Sequence, residues 1–118
     1  MTKKEKRPWG KFEIIHQEPG ITIKIIKVKP EQRLSLQSHK YRDEMWLLLD
    51  GKGFCEIAEW PQELKKGLTY IIPREEKHRL TAGPKGIKVL EISFGKFSEK
   101  DEVRYEDDYD RIKAPSKI

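Results

Sequence analysis

Residues 34–53 read LSLQSHKYRDEMWLLLDGKG, and the way apolar and polar residues alternate along them decides the fold class. In an extended chain Leu34, Leu36 and Ser38 point one way, and Ser35, Gln37, His39 and Tyr41 the other. Met45–Leu49 is a continuous apolar run of strand length. Asp50-Gly51-Lys52-Gly53 is a hairpin signal that predicts a return as Phe54–Glu59. Towards the N-terminus, Lys11–Glu18 and Ile21–Lys29 are rich in Ile and Val and are parted by the turn dipeptide Pro19-Gly20. Thr22, Lys24, Ile26 and Val28 share one face of the second run, so its alternation is imperfect. Towards the C-terminus, Leu68–Ile72 stops at Pro73, and His78–Thr81 and Ile87–Phe94 flank Gly83-Pro84-Lys85-Gly86. Short strands at close spacing, with no amphipathic helix longer than two turns, predict an all-β sandwich or barrel. Ser98–Arg111 is acidic and punctuated by Val103, Tyr105 and Tyr109. Ser98 and Asp101 are spaced to cap a short helical turn, and the segment either packs across an opening of the barrel or frays.

The 118 residues fit one compact domain, with residues 1–10 as an N-terminal arm and 98–118 as the acidic closing segment. Charged residues make up 38% of the chain, yet three Trp, four Tyr and four Phe, with runs such as ITIKIIKV, are too apolar for a solvated tail. No apolar run approaches the roughly 20 residues of a membrane span. The opening MTKKEKRPWG lacks the apolar stretch of a secretory signal. The single cysteine, Cys55, excludes an internal disulfide and fits a reducing cytoplasm. The net charge is +5, but the signs are interspersed and form no basic stripe. That argues against nucleic acid and suits a phosphorylated small molecule.

The chemistry concentrates in two stretches. Gln37, His39 and Tyr41 lie on one strand face with Glu44 just beyond, and His78 follows Pro73 across a short turn. Two imidazoles and a carboxylate converging in a barrel make a 2-His-1-carboxylate site for Zn²⁺, Fe²⁺, Mn²⁺ or a similar ion, with positions left open for water or substrate. The competing reading is a hydrogen-bonded or surface His39 and an unrelated His78.

The quoted stretch resembles the first cupin motif, with Glu44 and Gly51 at the motif's spacing, and residues 67–80, GLTYIIPREEKHRL, resemble the second through Gly67, Pro73 and His78. More specifically, the chain resembles the type II mannose-6-phosphate isomerase domain, which also forms the C-terminal part of bifunctional mannose-1-phosphate guanylyltransferases. Arg7-Pro8-Trp9-Gly10 matches that family's opening, Leu34–Glu44 its L-S-L-Q-x-H-x-H-R-x-E, His78-Arg79-Leu80 its H-R-L, and Asp101–Arg111 its acidic close. Four positions depart: Tyr41 stands for the family's second histidine, Met45 for the histidine after the glutamate, Glu75 for a glycine and Ala82 for an asparagine.

The resemblance implies a cupin double-stranded β-helix, a jelly-roll barrel, as a single domain. It implies a divalent metal ion, Zn²⁺ first with Mn²⁺, Fe²⁺, Co²⁺ or Ni²⁺ as alternatives, held by His39, Glu44 and His78. Gln37 or Tyr41 would offer a further oxygen. Glu91, at the family's I-E-V position, would be the base, against the alternative of a carboxylate paired with a neighbouring Arg or Lys. Arg42 and Arg79 would fork onto a phosphate, and Trp9 would close one end of the cavity or simply join the core. The implied activity is interconversion of mannose 6-phosphate and fructose 6-phosphate, feeding GDP-mannose synthesis. A non-catalytic sugar- or metal-binding cupin and a metal-dependent cupin oxygenase are the rivals. A homodimer is the expected way to cover apolar strand edges.

Overall fold

A computed structural model describes residues 3–98 and 100–112. The strands are β1 (Lys3–Arg7), β2 (Gly10–Glu18), β3 (Ile21–Val28), β4 (Leu36–Ser38), β5 (Arg42–Ile57), β6 (Trp60–Glu63), β7 (Thr69–Ile72), β8 (His78–Gly95) and β9 (Val103–Glu106). Among the described residues they form one nine-stranded sheet in the order β1-β2-β3-β8-β4-β9, from which β5 branches to pair β8, β6 and β7. All of these pairings are antiparallel. Among the described residues no helix is long and apolar enough to cross a membrane. At the expected helical turn, Asp101 N donates to Ser98 O at 3.0 Å, and no helix follows among the described residues.

The sheet curls because β8 changes partners along its length. Its second half, Ile87–Phe94, lies between β3 and β5, whereas His78 at its start pairs with Gln37 of β4 and with Ile57 of β5. This corrects the expected hairpin at Asp50–Gly53. The chain does not return there but runs on as one 16-residue strand, bulged at Leu48/Asp50 and Gly51/Gly53. Residues 83–86 of β8 likewise bulge within an 18-residue strand instead of separating two. An Asp-Gly pair that would code for a tight turn here serves a bend. Gly51 sits at φ +83°, and a Cβ there would collide with the Gly86 carbonyl. One at Gly53 would collide with the carbonyl of Thr81. The two long strands can therefore cross at this corner only without side chains.

The core fills the concave side. Trp46, Ile72, Leu80, Val89 and Cys55 are essentially inaccessible, with Phe12, Ile26, Val28 and Ile87 packed around them. Each large side chain there contributes about 1.5–3 kcal/mol of hydrophobic stabilisation. Burial pushes the Cys55 thiol up to about 11. The described part of the closing segment packs across the barrel: Asp101 accepts the backbone N–H groups of Lys40 and Tyr41, both at 2.9 Å, and β9 pairs with β4; residues 99 and 113–118 lie outside the described residues.

Candidate metal centre

Three strand ends deliver the site. Glu44 is the third residue of β5 and faces inward; His78 opens β8; His39 follows the last residue of β4. All three are buried, at 2%, 2% and 5% exposure. One ligand atom from each lies within 4.8 Å of the others. Glu44 Oε1 is 3.4 Å from His39 Nδ1 and 3.2 Å from His78 Nε2. Two ligands of a tetrahedral ion with bonds of ~2.0–2.1 Å stand about 3.4 Å apart, so the spacing suits a shared ion. Both ring nitrogens of His39 and Glu44 Oε1 are buried without a hydrogen-bond partner among the described residues. Orphaned donor atoms at this depth cost free energy unless something binds them. The residues present therefore fit a divalent ion of the zinc, iron or manganese type.

Neighbouring groups orient each ligand. Glu44 Oε2 accepts from Arg42 Nε at 3.0 Å and from Ser93 Oγ at 3.4 Å, which leaves Oε1 for the histidines. His78 Nδ1 donates to the Glu76 carbonyl at 2.9 Å, so the tautomer places the lone pair on Nε2. The Glu102 carboxylate lies 3.6 Å from His39 Nε2 and pairs with Arg104 at 2.9 Å. Burial alone would raise the Glu44 carboxyl, but the imidazoles of His39 and His78 hold it well below the usual carboxylate range. Burial would lower the His39 imidazole, yet the carboxylates of Glu102 and Glu44 carry it up to about 9.

The other expected residues divide. Gln37 is buried on the wall of the same cavity, its amide nitrogen donating to Ser35 Oγ at 3.2 Å, which leaves the amide oxygen as a donor atom. Tyr41 is not brought to the cluster: it is 50% exposed, with Lys40 Nζ 5.5 Å from its ring centroid. The alternation predicted through Tyr41 stops early because β4 is only three residues long. Glu91 is 5% exposed, lines the cavity and accepts from Trp46 Nε1 at 2.9 Å. Burial and the nearby Glu44 carboxylate raise the Glu91 carboxyl, against the opposing pull of Lys24 and the Trp46 N–H. Trp9 is buried on the cavity wall. Arg42 also lines the cavity, but its guanidinium is committed to Glu44 and to the Ser98 carbonyl at 3.0 Å. Arg79 lies elsewhere. As the neighbour of inward-facing His78 it points to the opposite face, where it donates to Leu34 O and Glu106.

The cavity measures about 200 Å³, the scale of a small molecule. Its wall also carries Arg7, Lys24, Arg104, Arg111 and Glu102, which local sequence pattern did not single out. Three of these, Glu102, Arg104 and Arg111, come from the closing segment, where the match of Asp101–Arg111 to the family's acidic close was the signal that pointed there.

The family model for the mannose-6-phosphate isomerase C-terminal domain matches residues 1–108. The chain belongs to this family. Among curated relatives, it is 34% identical over 111 residues to the xanthan biosynthesis protein XanB of Xanthomonas campestris, covering 92% of this chain and 24% of that one. It is 34% identical over 107 residues to a mannose-1-phosphate guanylyltransferase of Escherichia coli, covering 89% and 23%. The chain thus spans about a quarter of the length of these relatives. An oxalate decarboxylase from Bacillus subtilis superposes with a TM-score of 0.78 at 17% identity, over 88% of this chain and 30% of that one. The fold is that of the cupins.

Proposed function

We propose that this member of the family is a metal-dependent aldose–ketose isomerase that interconverts mannose 6-phosphate and fructose 6-phosphate and so feeds GDP-mannose synthesis. One observation carries the reading: the orphaned atoms of His39 and Glu44, clustered with His78, open on a basic-walled cavity that a second buried carboxyl, Glu91, also lines. A divalent ion held by the trio, with Gln37 as a further oxygen donor, would supply Lewis-acid stabilisation of the oxyanion that develops as a carbon-bound proton leaves. Glu91 takes that proton from C2 and returns it to C1. Its raised proton affinity brings it nearer the working range of a general base at neutral pH. The Trp46 N–H holds one of its oxygens and leaves the other for the proton. Arg7, Arg104 and Arg111 line the wall as partners for the phosphate. Arg42 acts instead by fixing Glu44, and Trp9 closes the cavity against solvent.

The test is exchange of the C2 hydrogen of mannose 6-phosphate with deuterated solvent, followed by proton NMR alongside metal analysis. The wild type is expected to exchange it, to stop with a chelator and to resume on adding back Zn²⁺ or Mn²⁺. His39→Ala and His78→Ala should lose bound metal while keeping their thermal transitions. Glu91→Gln should keep its metal and lose about 10²–10⁴-fold in exchange rate. A metal-loaded wild type that exchanges no C2 hydrogen sinks the isomerase reading. Sugar phosphate binding without exchange would then establish a non-catalytic cupin.

A further inference from the structure

The isomerase mechanism leaves Lys24, a buried cation on the cavity wall, without a role. Lys24 lies on β3 with only 7% of its surface exposed. A lysine is seldom buried so deeply without a task, because taking its charge out of water costs free energy. Its Nζ sits between two phenyl rings, 4.3 Å from the centroid of Phe12 and 4.4 Å from that of Phe97. Each ring also meets a second cation: Arg7 Cζ lies 4.9 Å from the Phe12 centroid, and Arg42 Cζ 4.7 Å from that of Phe97. Arg7, Phe12, Lys24, Phe97 and Arg42 thus alternate cation and ring along one wall of the cavity. The electron-rich face of a ring attracts a cation and fixes its position. Lys24 is a clamped charge.

The register of the sheet shows what that charge meets. Lys24 of β3 is directly opposite Glu91 of β8, and Glu91 is directly opposite Trp46 of β5. Facing residues on one side of adjacent strands have Cβ atoms about 4.5–5.5 Å apart. One row along stand Thr22, Ser93 and Glu44, in the same strand order. Glu91 therefore has Lys24 on its β3 side and the metal ligand Glu44 on its β5 side. The reaction calls for cations at two such positions. When the C2 proton of the open-chain sugar leaves for Glu91, its bonding electrons form C1=C2 and the carbonyl pair moves onto O1. A proton then passes from O2 to O1, O2 re-forms a carbonyl, and Glu91 returns its proton to C1. Negative charge develops on both oxygens in turn, and the clamped ammonium and the metal site flank Glu91 from opposite sides.

We infer that Lys24 is a catalytic residue of this isomerisation, its ammonium donating to one of the two enediolate oxygens while Glu91 carries the proton. The inference rests on the isomerase reading and adds to it the group that stabilises the second oxygen. A preorganised N–H donor aimed at developing charge in a cavity is among the strongest contributors to rate. Phe12 and Phe97 supply the preorganisation, since they hold the ammonium before the sugar arrives.

The test uses the full chain loaded with Zn²⁺ or Mn²⁺, mannose 6-phosphate as the probe, and C2 exchange into deuterated solvent as the readout. Lys24→Met keeps an apolar stem between the two rings and removes the charge. It is expected to retain its metal and thermal transition, to hold KM within about threefold, and to lose about 10²–10³-fold in kcat. Lys24→Gln carries the same expectation and is read in its place if Lys24→Met does not fold. Lys24→Arg keeps a cation with N–H donors and should recover at least about tenfold of the loss. A folded, metal-loaded Lys24→Met or Lys24→Gln that exchanges within about threefold of the wild type overturns the inference alone. So does a Lys24→Arg no faster than Lys24→Met. A loss confined to KM would make Lys24 a binding group only, and a loss that follows released metal or a lowered thermal transition would make it structural; either result also overturns the inference. A metal-loaded wild type that exchanges no C2 hydrogen is a different failure, which ends the isomerase reading and this inference with it.

Discussion

The two faces of β3, β8 and β5 invert the usual rule of an apolar inside and a polar outside. Near the site, the concave face carries Thr22, Lys24, Glu91, Ser93, Arg42 and Glu44, all buried. The convex face of the same strand segments carries Ile21, Ile23, Ile92, Phe94 and Met45 in the alternating pairs, all partly open to solvent. Buried charge is tolerated only when it is paired or has a ligand, and exposed apolar area is tolerated best when it is covered. Each face is therefore incomplete in the opposite sense. The inner one gathers donors suited to a cation and a polar ligand; the outer one presents apolar side chains to solvent. Further along the same strands the ordinary arrangement returns, with Ile26, Val28, Leu48 and Val89 facing in.

The contrast can be broken most severely from within. Arg42→Ala should destabilise the metal-free protein by about 3 kcal/mol in a denaturant titration, because it removes the buried guanidinium partner of Glu44 Oε2. A loss below about 1 kcal/mol would mean that Glu44 is not held by this pair. A smaller effect is expected at Glu102, which positions His39 from the closing segment. Glu102→Ala should weaken metal binding about 10–100-fold, with Glu102→Gln in between, as read by competition with a chromophoric chelator. The same substitution should alter the pH dependence of the metal-free protein. His39 is raised to about 9 in the fold. Its contribution to stability is therefore complete below its unfolded value of ~6.5 and is lost as pH rises through about 9. Removing Glu102 should flatten that loss; an unchanged profile would show that Glu102 does not act on His39. The least effect is expected from Tyr41→His, which restores the family residue at an exposed position. Metal affinity should change by less than about twofold, a shift of under 0.5 kcal/mol. A large gain would mean that the 39–42 turn can swing its side chain inward.

Much of this inversion is visible in the sequence once the fold is known. The uneven alternation of Ile21–Lys29 reflects an inner face that passes from site to core, with Thr22 and Lys24 at one end and Ile26 and Val28 at the other. His39, Glu44 and His78 were legible because each sits in a short motif whose spacing survives folding. Tyr41 was not, because a two-residue period describes a strand and β4 ends at Ser38. Glu102 left no local mark: it reaches His39 across 63 positions of chain, a contact that tertiary packing alone creates. The strands β1, β6 and β9 also went unread. KKEKR and WPQE lack apolar alternation, and their pairing is dictated by neighbours already in place.

The position of β8 has a consequence for the order in which the molecule can be assembled. It is the shared neighbour of β3, β4 and β5, and it is made after all three. Until Gly95 has emerged, β3 and the longer part of β5 have no common partner, so their edges and their isoleucine- and leucine-rich sides wait together in the nascent chain. Barrel closure is then a late, long-range event, and folding should be slow compared with a helical protein of the same length. The interval before closure is when this chain is most exposed to aggregation and most dependent on chaperones.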